Sequence, residues 1–212
     1  MPRNSGRKPV GRTGPIEIGA EGISRRLVNF PAEKREREQM IAELFVGNAH
    51  RFPDHLAPFS GLVPNDEDDL DFRVHSQEGE KYLELAEFAP LQELDVRYET
   101  APRHFSIGQL ATLLSGLVGR KSAHQGRPDC LLLTYKTHDA FLVPPPGIEL
   151  ARRMLNETPP NFSKVYFLSP HDRTGATIFE VFPGVPHSLF EDMSDAQLGA
   201  MSWQRFDFDK LA

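Results

Sequence analysis

Two short and almost entirely apolar runs constrain the fold of this 212-residue chain most strongly. Residues 129–135 read Asp-Cys-Leu-Leu-Leu-Thr-Tyr, and residues 164–168 read Lys-Val-Tyr-Phe-Leu. Neither run alternates polar with apolar side chains, so each predicts a strand that is buried on both faces, as in a parallel sheet covered by helices. A helix from Ile148 to Asn156, begun by prolines, is predicted between them. The three elements should form a right-handed crossover.

Weaker patterns on both sides of this unit extend it into a mixed order of helices and strands. Apolar periodicity and turn residues predict a helix over residues 31–48, paired strands over 70–75 and 81–88, a helix over 106–120, an edge strand over 177–182 and a short helix over 195–201. Elements that alternate in this way favour an α/β fold with a three-layer core, in which helices flank a mixed central sheet.

The same patterns divide the chain into three parts. We expect a flexible basic arm over residues 1–15, since this stretch offers almost nothing to bury. A single α/β domain should follow over residues 16–185, with a C-terminal extension over residues 186–212.

Charge, cysteine content and the length of the apolar runs limit the partners and the cellular compartment that the sequence predicts. The net charge is −6, yet residues 1–30 hold six Arg or Lys against two Glu, so the case for nucleic acid as a partner rests on the basic arm. Cys130 is the one cysteine, which excludes an internal disulfide and a multi-cysteine zinc site and indicates a reducing, cytoplasmic compartment. No apolar run has the length of a membrane span, so no membrane partner is expected.

Asp71 and Glu84 are the strongest candidates for chemistry. Each lies on one strand of the predicted hairpin, and the turn over residues 77–80 should bring the two carboxylates together. Two carboxylates and one backbone carbonyl form a hard-oxygen site that suits Mg²⁺ (or Mn²⁺), and such an ion can activate a water molecule. The alternative is that both acids are ordinary solvent-facing charges of a hairpin.

The residues around this pair carry a resemblance to a known family. They read Pro64-Asn65, then Asp71-Phe72, and after the turn Tyr82-Leu83-Glu84-Leu85-Ala86. With a helix before it and an amphipathic helix and a buried strand after it, this pattern resembles the PD-(D/E)xK nuclease superfamily, whose core is the restriction-endonuclease-like fold. The resemblance spans residues 33–170.

This resemblance implies metal-dependent hydrolysis of DNA or RNA phosphodiesters. It implies catalytic and metal-binding roles for Asp71 and Glu84. It also implies further metal ligands at the backbone carbonyl of Leu85 and at Glu38 (or Glu36) on the first helix.

The chain departs from the family motif at the position of its lysine. Ala86 stands where the family carries a lysine that positions or activates the attacking water, and a methyl group can do neither. Lys81, Lys121 and Lys136 are candidates for a replacement, and none has the spacing of the motif. The sequence therefore predicts weak or absent cleavage. It leaves open a second interpretation, a non-catalytic nuclease-fold module that binds a protein partner, and a third, a stand-alone protein that binds a metal or another ligand.

Other polar groups near the motif have simpler interpretations. Glu87 lies three residues beyond the motif glutamate and should point to the opposite face of the strand. Gln109 could face the site, but its polarity favours an exposed position on the second helix. Cys130 lies in an apolar strand and predicts a packed thiol. His50 and His55 have neither a helical spacing nor cysteine partners, which favours a solvated loop over a metal site.

Overall fold

The computed structural model describes residues 13–14, 16–20, 22–25, 27–49, 59–65 and 70–204. The helices and strands of these ranges, in chain order, are β1 (Ile16–Gly19), β2 (Gly22–Arg25), α1 (Lys34–Ala49), β3 (Ser60–Pro64), β4 (Phe72–Ser76), β5 (Gly79–Glu87), β6 (His104–Ser106), α2 (Ile107–Gln125), β7 (Cys130–Tyr135), α3 (Pro145–Glu157), β8 (Lys164–Pro170), β9 (Ala176–Phe182), α4 (Asp195–Ala200) and β10 (Ser202–Gln204). The largest sheet has six strands in the spatial order β3–β4–β5–β7–β8–β9.

The two apolar runs form the middle of this sheet. β7 is parallel to both of its neighbours, with Leu133 across from Leu85 on β5 and across from Tyr166 on β8. All six residues of β7 are buried. β4 pairs antiparallel with β5, and β9 pairs antiparallel with β8, on the two sides of this parallel centre. Short turns join the antiparallel strands, whereas the parallel strands are joined by the crossover helices α2 and α3.

Helices cover the sheet on both faces, which confirms the predicted three-layer α/β core. α1 packs on the face that presents Leu83, Leu85 and Leu133. α2 and α3 pack on the other face, together with Ala86 and Leu132. Consecutive residues of β5 and β7 therefore enter two different cores, because side chains alternate between the faces of a strand. The two apolar runs are buried as predicted, with these residues each at most 2% exposed: Leu131, Leu133, Val165 and Phe167.

The second helix is longer than its sequence pattern predicts. Ser106 caps its start, accepting from the backbone N–H of Gln109 while the Gln109 side chain accepts from the backbone N–H of Ser106. The helix continues past residue 120 to Gln125. Its additional turn carries Lys121, which contacts Glu84 on β5. This contact joins residues that are far apart in sequence, so the local pattern of the helix does not predict it.

One edge strand and two short strand pairs have weak signals in the sequence. β3 lies in a stretch that reads as a loop, because it is an exposed five-residue edge strand with a glycine and a proline. β1 and β2 form a hairpin in an ambiguous segment. β6 and β10 pair antiparallel, so the C-terminal segment returns to the start of α2.

Most of the predicted basic arm, together with His50 and His55, lies outside the described residues. Thr13, inside the arm's range, is fully buried. Its hydroxyl accepts from Lys136 Nζ at 2.5 Å and donates to Asp139 Oδ1 at 2.5 Å. None of the described helices combines the length and the apolar composition that crossing a membrane requires.

Candidate functional site

The β4–β5 hairpin places Asp71 opposite Glu84. Phe72 pairs with Leu83 at the end of the antiparallel ladder, and the same register continued by one position sets Asp71 across from Glu84. Directly opposite residues of an antiparallel pair project to the same face. The two acids are thus adjacent in the fold although the turn of the hairpin separates them in sequence.

The Asp71 carboxylate is fixed by backbone groups. Its Oδ2 accepts a hydrogen bond of 2.8 Å from the backbone N–H of Leu85. Its backbone carbonyl accepts from the N–H of Asn65, and the Asn65 side chain donates to the carbonyl of Leu70. The chain just before β4 is therefore held from both sides, which orients the half-buried carboxylate toward the middle of β5.

Lys121 reaches Glu84 from the last turns of α2. Its Nζ lies 2.5 Å from Glu84 Oε1 and 2.9 Å from Oε1 of Gln125, one helical turn further along. The Lys121 side chain is 29% exposed, whereas that of Glu84 is 2% exposed. The ammonium group therefore sits at the boundary between the buried carboxylate and solvent.

This contact provides a hydrogen-bond donor for only one of the two carboxylate oxygens of Glu84. Oε2 of Glu84 is buried and accepts no hydrogen bond from a donor group. Burial raises the pKa of Glu84 from 4.5 to about 7; the ammonium of Lys121 opposes this rise, and the negative charge of Asp71 adds to it. The Asp71 side chain lies within hydrogen-bond reach of the Glu84 carboxyl, and a proton shared between the two acids also raises the pKa of Glu84. A buried carboxylate oxygen without a donor is costly, and a proton or a cation bound at this atom would lower that cost.

Glu38 belongs to the same electrostatic neighbourhood. It lies in the first turns of α1, is largely buried, and forms an ion pair of 3.4 Å with Lys34. Burial raises its pKa, and the charge of Asp71 contributes to this rise. Asp71 thus influences Glu84 on one side and Glu38 on the other.

The donors fit a hard divalent cation in chemistry but do not form a complete cluster. Carboxylate and carbonyl oxygens, including the carbonyl of Leu85 on β5, are the ligands that Mg²⁺ and Mn²⁺ prefer. The unpaired Oε2 of Glu84 is the observation that favours such an ion. Within the described ranges, however, no three His, Cys, Asp or Glu side chains are arranged as a metal-holding group. The pair Asp71 and Glu84 is therefore the centre of the candidate site, with Glu38 further out.

The structure separates the candidate lysines. Lys121 contacts Glu84, whereas Lys81 pairs with Glu78 at 3.3 Å near the hairpin turn. Lys136 is buried at the end of β7, where it donates to Thr13 and to Asp139. Ala86, at the motif's lysine position, is 4% exposed and belongs to the core beneath α2 and α3.

The other polar groups lie where the sequence suggests. Glu87 is on the opposite face from Glu84 and accepts hydrogen bonds from the hydroxyls of Tyr98 and Thr137. Gln109 is exposed in the first turn of α2. Cys130 is a buried free thiol, and burial raises its pKa to about 12. Because the thiolate is the nucleophilic form, a thiol with so high a pKa is a poor nucleophile.

Sequence reasoning finds the acids but not the geometry of their partners. Gln125 belongs to no recognisable motif. The spacing between Lys121 and Glu84 does not predict their contact, because α2 packs against β5 only in the folded chain. The available signal is indirect. Lys121 and Gln125 stand four positions apart at the end of an amphipathic helix, which places both side chains on one face.

Comparisons with known proteins add no relative to this picture. No protein-family model matches the chain. Searches among curated proteins and solved structures give no significant match. By themselves, the fold and the geometry define a three-layer α/β protein in which the half-buried Asp71 and the buried Glu84 lie close together on the mixed sheet, with Lys121 in contact with Glu84.

Proposed function

We propose that this protein is a metal-dependent nuclease of the PD-(D/E)xK type that hydrolyses nucleic acid phosphodiesters. In this proposal, Asp71 and Glu84 hold a Mg²⁺ or Mn²⁺ ion, and Lys121 takes the role of the lysine that is missing at Ala86. The observation that carries the proposal is the 2.5 Å contact between Lys121 Nζ and Glu84 Oε1, since it brings an ammonium group to the motif from a different element.

The arrangement around this contact supports the proposal in two further ways. The β4–β5 register continued by one position sets Asp71 across from Glu84, and the charge of Asp71 raises the pKa of Glu84, so the two acids of the motif are neighbours. The helix, the hairpin, the second helix and the buried strand follow in the order on which the resemblance rests.

Each residue has a role that follows from its position. Asp71, held by the N–H of Leu85, presents a fixed carboxylate, and Glu84 offers the unpaired Oε2. A divalent ion bound between them would supply charge neutralisation and lower the pKa of a water molecule. Lys121 lies at the solvent boundary, where its positive charge can orient a water molecule and stabilise negative charge on a phosphate.

The test is cleavage of plasmid DNA, single-stranded DNA and RNA in the presence of Mg²⁺ or Mn²⁺. We expect cleavage that EDTA abolishes, and a loss of at least about 100-fold in rate for Glu84→Gln and for Lys121→Met. Lys136→Met is not a suitable control, because that lysine is buried. Lys81→Met is the matched control, since Lys81 pairs with Glu78 away from the acids. Cleavage that persists in Glu84→Gln would contradict the proposal.

The burial of the motif favours a second candidate function. Glu84 is 2% exposed and Ala86 is 4% exposed, so a substrate must reach Glu84 from the side of Asp71 and Lys121. In this alternative, the protein is a non-catalytic nuclease-fold module that binds a protein partner, and the Lys121–Glu84 pair is structural. Absence of metal-dependent cleavage, together with no shift in melting temperature on addition of Mn²⁺, would support the module over the nuclease.

A further inference from the structure

A side chain in the turn between α2 and β7 stacks on a ring of β5 close to the candidate site. The guanidinium carbon of Arg127 lies over the ring of Tyr82, 4.3 Å from the ring centroid. Tyr82 is on β5, two residues before Glu84, so its ring projects to the same face as the Glu84 carboxylate. Arg127 follows closely after Lys121 and Gln125 at the end of α2.

Asp129 holds this pair in place through both its backbone and its side chain. Its carbonyl accepts from the N–H of Tyr82 at 3.1 Å. Its carboxylate accepts from Arg127 Nε at 3.1 Å and from Arg127 Nη2 at 3.0 Å. The same residue therefore fixes the strand that carries the ring and the guanidinium group that covers it. Such a bidentate contact fixes the orientation of the guanidinium plane.

The turn itself is held by close packing and by hydrogen bonds. Gly126 has no space for a Cβ atom, which would lie 2.4 Å from the carbonyl oxygen of Ser122. Asn161 braces the turn, with its side chain donating to the Gly126 carbonyl and its backbone N–H donating to the Ser122 hydroxyl, both at 2.7 Å. A preformed surface of this kind loses little conformational entropy when a ligand binds.

Charge and exposure indicate what the Arg127–Tyr82 pair can bind. Asp129 neutralises Arg127, so this arginine is a weak contact for a phosphate. Its side chain is still 41% exposed, and a planar guanidinium group is a good stacking surface for a nucleobase. Because a base inside a duplex is already stacked on both faces, only an unpaired base is available for such a contact.

From this geometry we infer that Arg127 and Tyr82 form a stacking platform for an unpaired nucleobase, beside the phosphodiester that faces Asp71 and Glu84. The inference rests on the proposed function for the identity of the polymer, and it adds a substrate class: single-stranded nucleic acid. The platform binds and orients the nucleotide; it takes no part in bond cleavage.

The experiment measures the affinity of wild-type protein for labelled ten-nucleotide strands in EDTA, where metal-dependent cleavage is blocked. The probes are single-stranded DNA, single-stranded RNA, the corresponding DNA duplex, and a DNA strand of the same length made entirely of abasic sites. We expect the intact single strands to bind roughly tenfold or more tightly than the abasic strand, because the abasic strand has no base to stack on Arg127. The duplex should bind less tightly than the single strands.

Two variants separate stacking from charge. Arg127→Lys keeps the positive charge but loses the planar group, so the affinity for intact strands should fall to that for the abasic strand. Tyr82→Leu removes the ring beneath the guanidinium group and should have a similar effect. Arg120→Lys is the matched control, since Arg120 is an exposed arginine like Arg127 but lies on α2 and pairs with Glu93. The affinity of this variant for the intact strands should equal that of the wild type.

The outcomes distinguish this inference from the proposed function. Equal binding of intact and abasic strands, no binding of either, or full affinity in Arg127→Lys would overturn the stacking platform even if the wild type cleaves. Base-dependent binding that Arg127→Lys removes, in a protein that shows no cleavage, would support the platform while the nuclease proposal fails. Circular dichroism and thermal melting of each variant verify that it is folded.

Discussion

Two buried glutamates on the same side of the sheet differ in how completely they are neutralised. Glu149 on α3 is 1% exposed. Its Oε2 accepts from Arg152 at 2.5 Å and from the N–H of His187 at 3.1 Å, and its Oε1 accepts from Arg153 at 3.0 Å. Glu84 is equally buried, but only Oε1 has a partner.

This difference separates a structural carboxylate from a candidate binding site. Both oxygens of Glu149 are satisfied by groups that also hold the C-terminal segment, since Arg153 donates to the carbonyls of Phe190 and Met193. Glu84 keeps an unpaired oxygen next to a second acid, and its pKa rises to about 7. A fully paired buried carboxylate contributes to one native arrangement, whereas Oε2 of Glu84 still lacks a hydrogen-bond donor.

Removing the Glu149 carboxylate should have the largest effect on stability. Glu149→Ala leaves two arginines without their shared partner, and we expect a loss of about 3–5 kcal/mol in the free energy of unfolding. Urea denaturation measures this loss. Glu157→Ala at the exposed end of the same helix is the control and should change stability by less than about 0.5 kcal/mol. A loss below about 1 kcal/mol in Glu149→Ala would show that the network is not important for stability.

The raised pKa of Glu84 predicts a pH dependence of stability. Between pH 4.5 and about 7 the folded state keeps a proton on Glu84 that the unfolded state has released, so the free energy of unfolding should fall as pH rises through this window. The contribution of Glu84 is complete below pH 4.5 and should decline by on the order of 3 kcal/mol. Denaturation at several pH values in EDTA, with Glu84→Gln as the reference, isolates it. Parallel curves for the two proteins would be the contrary result.

Replacing Lys121 should have a smaller effect. Lys121→Met removes the cation that lowers the pKa of Glu84, so that pKa should rise further above its already elevated value. At pH 7 the carboxyl would then be protonated, and we expect a cost of about 1–2 kcal/mol for the lost charged hydrogen bond. A pH titration of Glu84 followed by NMR, with Lys121→Arg as the charge-conserving control, measures the shift. A downward shift in Lys121→Met would mean that Lys121 does not stabilise the carboxylate.

The smallest effect is expected at the rim of the Glu149 network. Asp195 pairs with Arg153 at 2.9 Å, but its side chain is half exposed. Exposed ion pairs contribute little, so Asp195→Asn should lower stability by less than about 1 kcal/mol. Thermal melts of this variant and of Glu149→Ala compare the rim with the centre of the network. Similar losses in both would remove the distinction between buried and exposed partners.

The sequence alone determined the layers of the fold and the pair of acids. The runs over β7 and β8 are short and almost entirely apolar, without polar residues at alternate positions, which favours strands covered on both faces. Asp71 and Glu84 belong to the two strands of one hairpin, and the register of a hairpin is set by the residues of its own turn and strands. These features depend on side-chain periodicity within short segments, which a sequence displays directly.

Only the tertiary structure decided which lysine, if any, accompanies the acids. Lys121 meets Glu84 because a crossover helix lays its last turns against β5, and Lys136 is instead drawn to Asp139. The Arg127–Tyr82 contact arises in the same way, from a turn that follows the same helix. Spacing in the sequence carries no information on such contacts, because they depend on how helices and strands pack after each has formed. The difference between Glu84 and Glu149 has the same origin, since burial and the number of donors around a carboxylate are properties of the packed core.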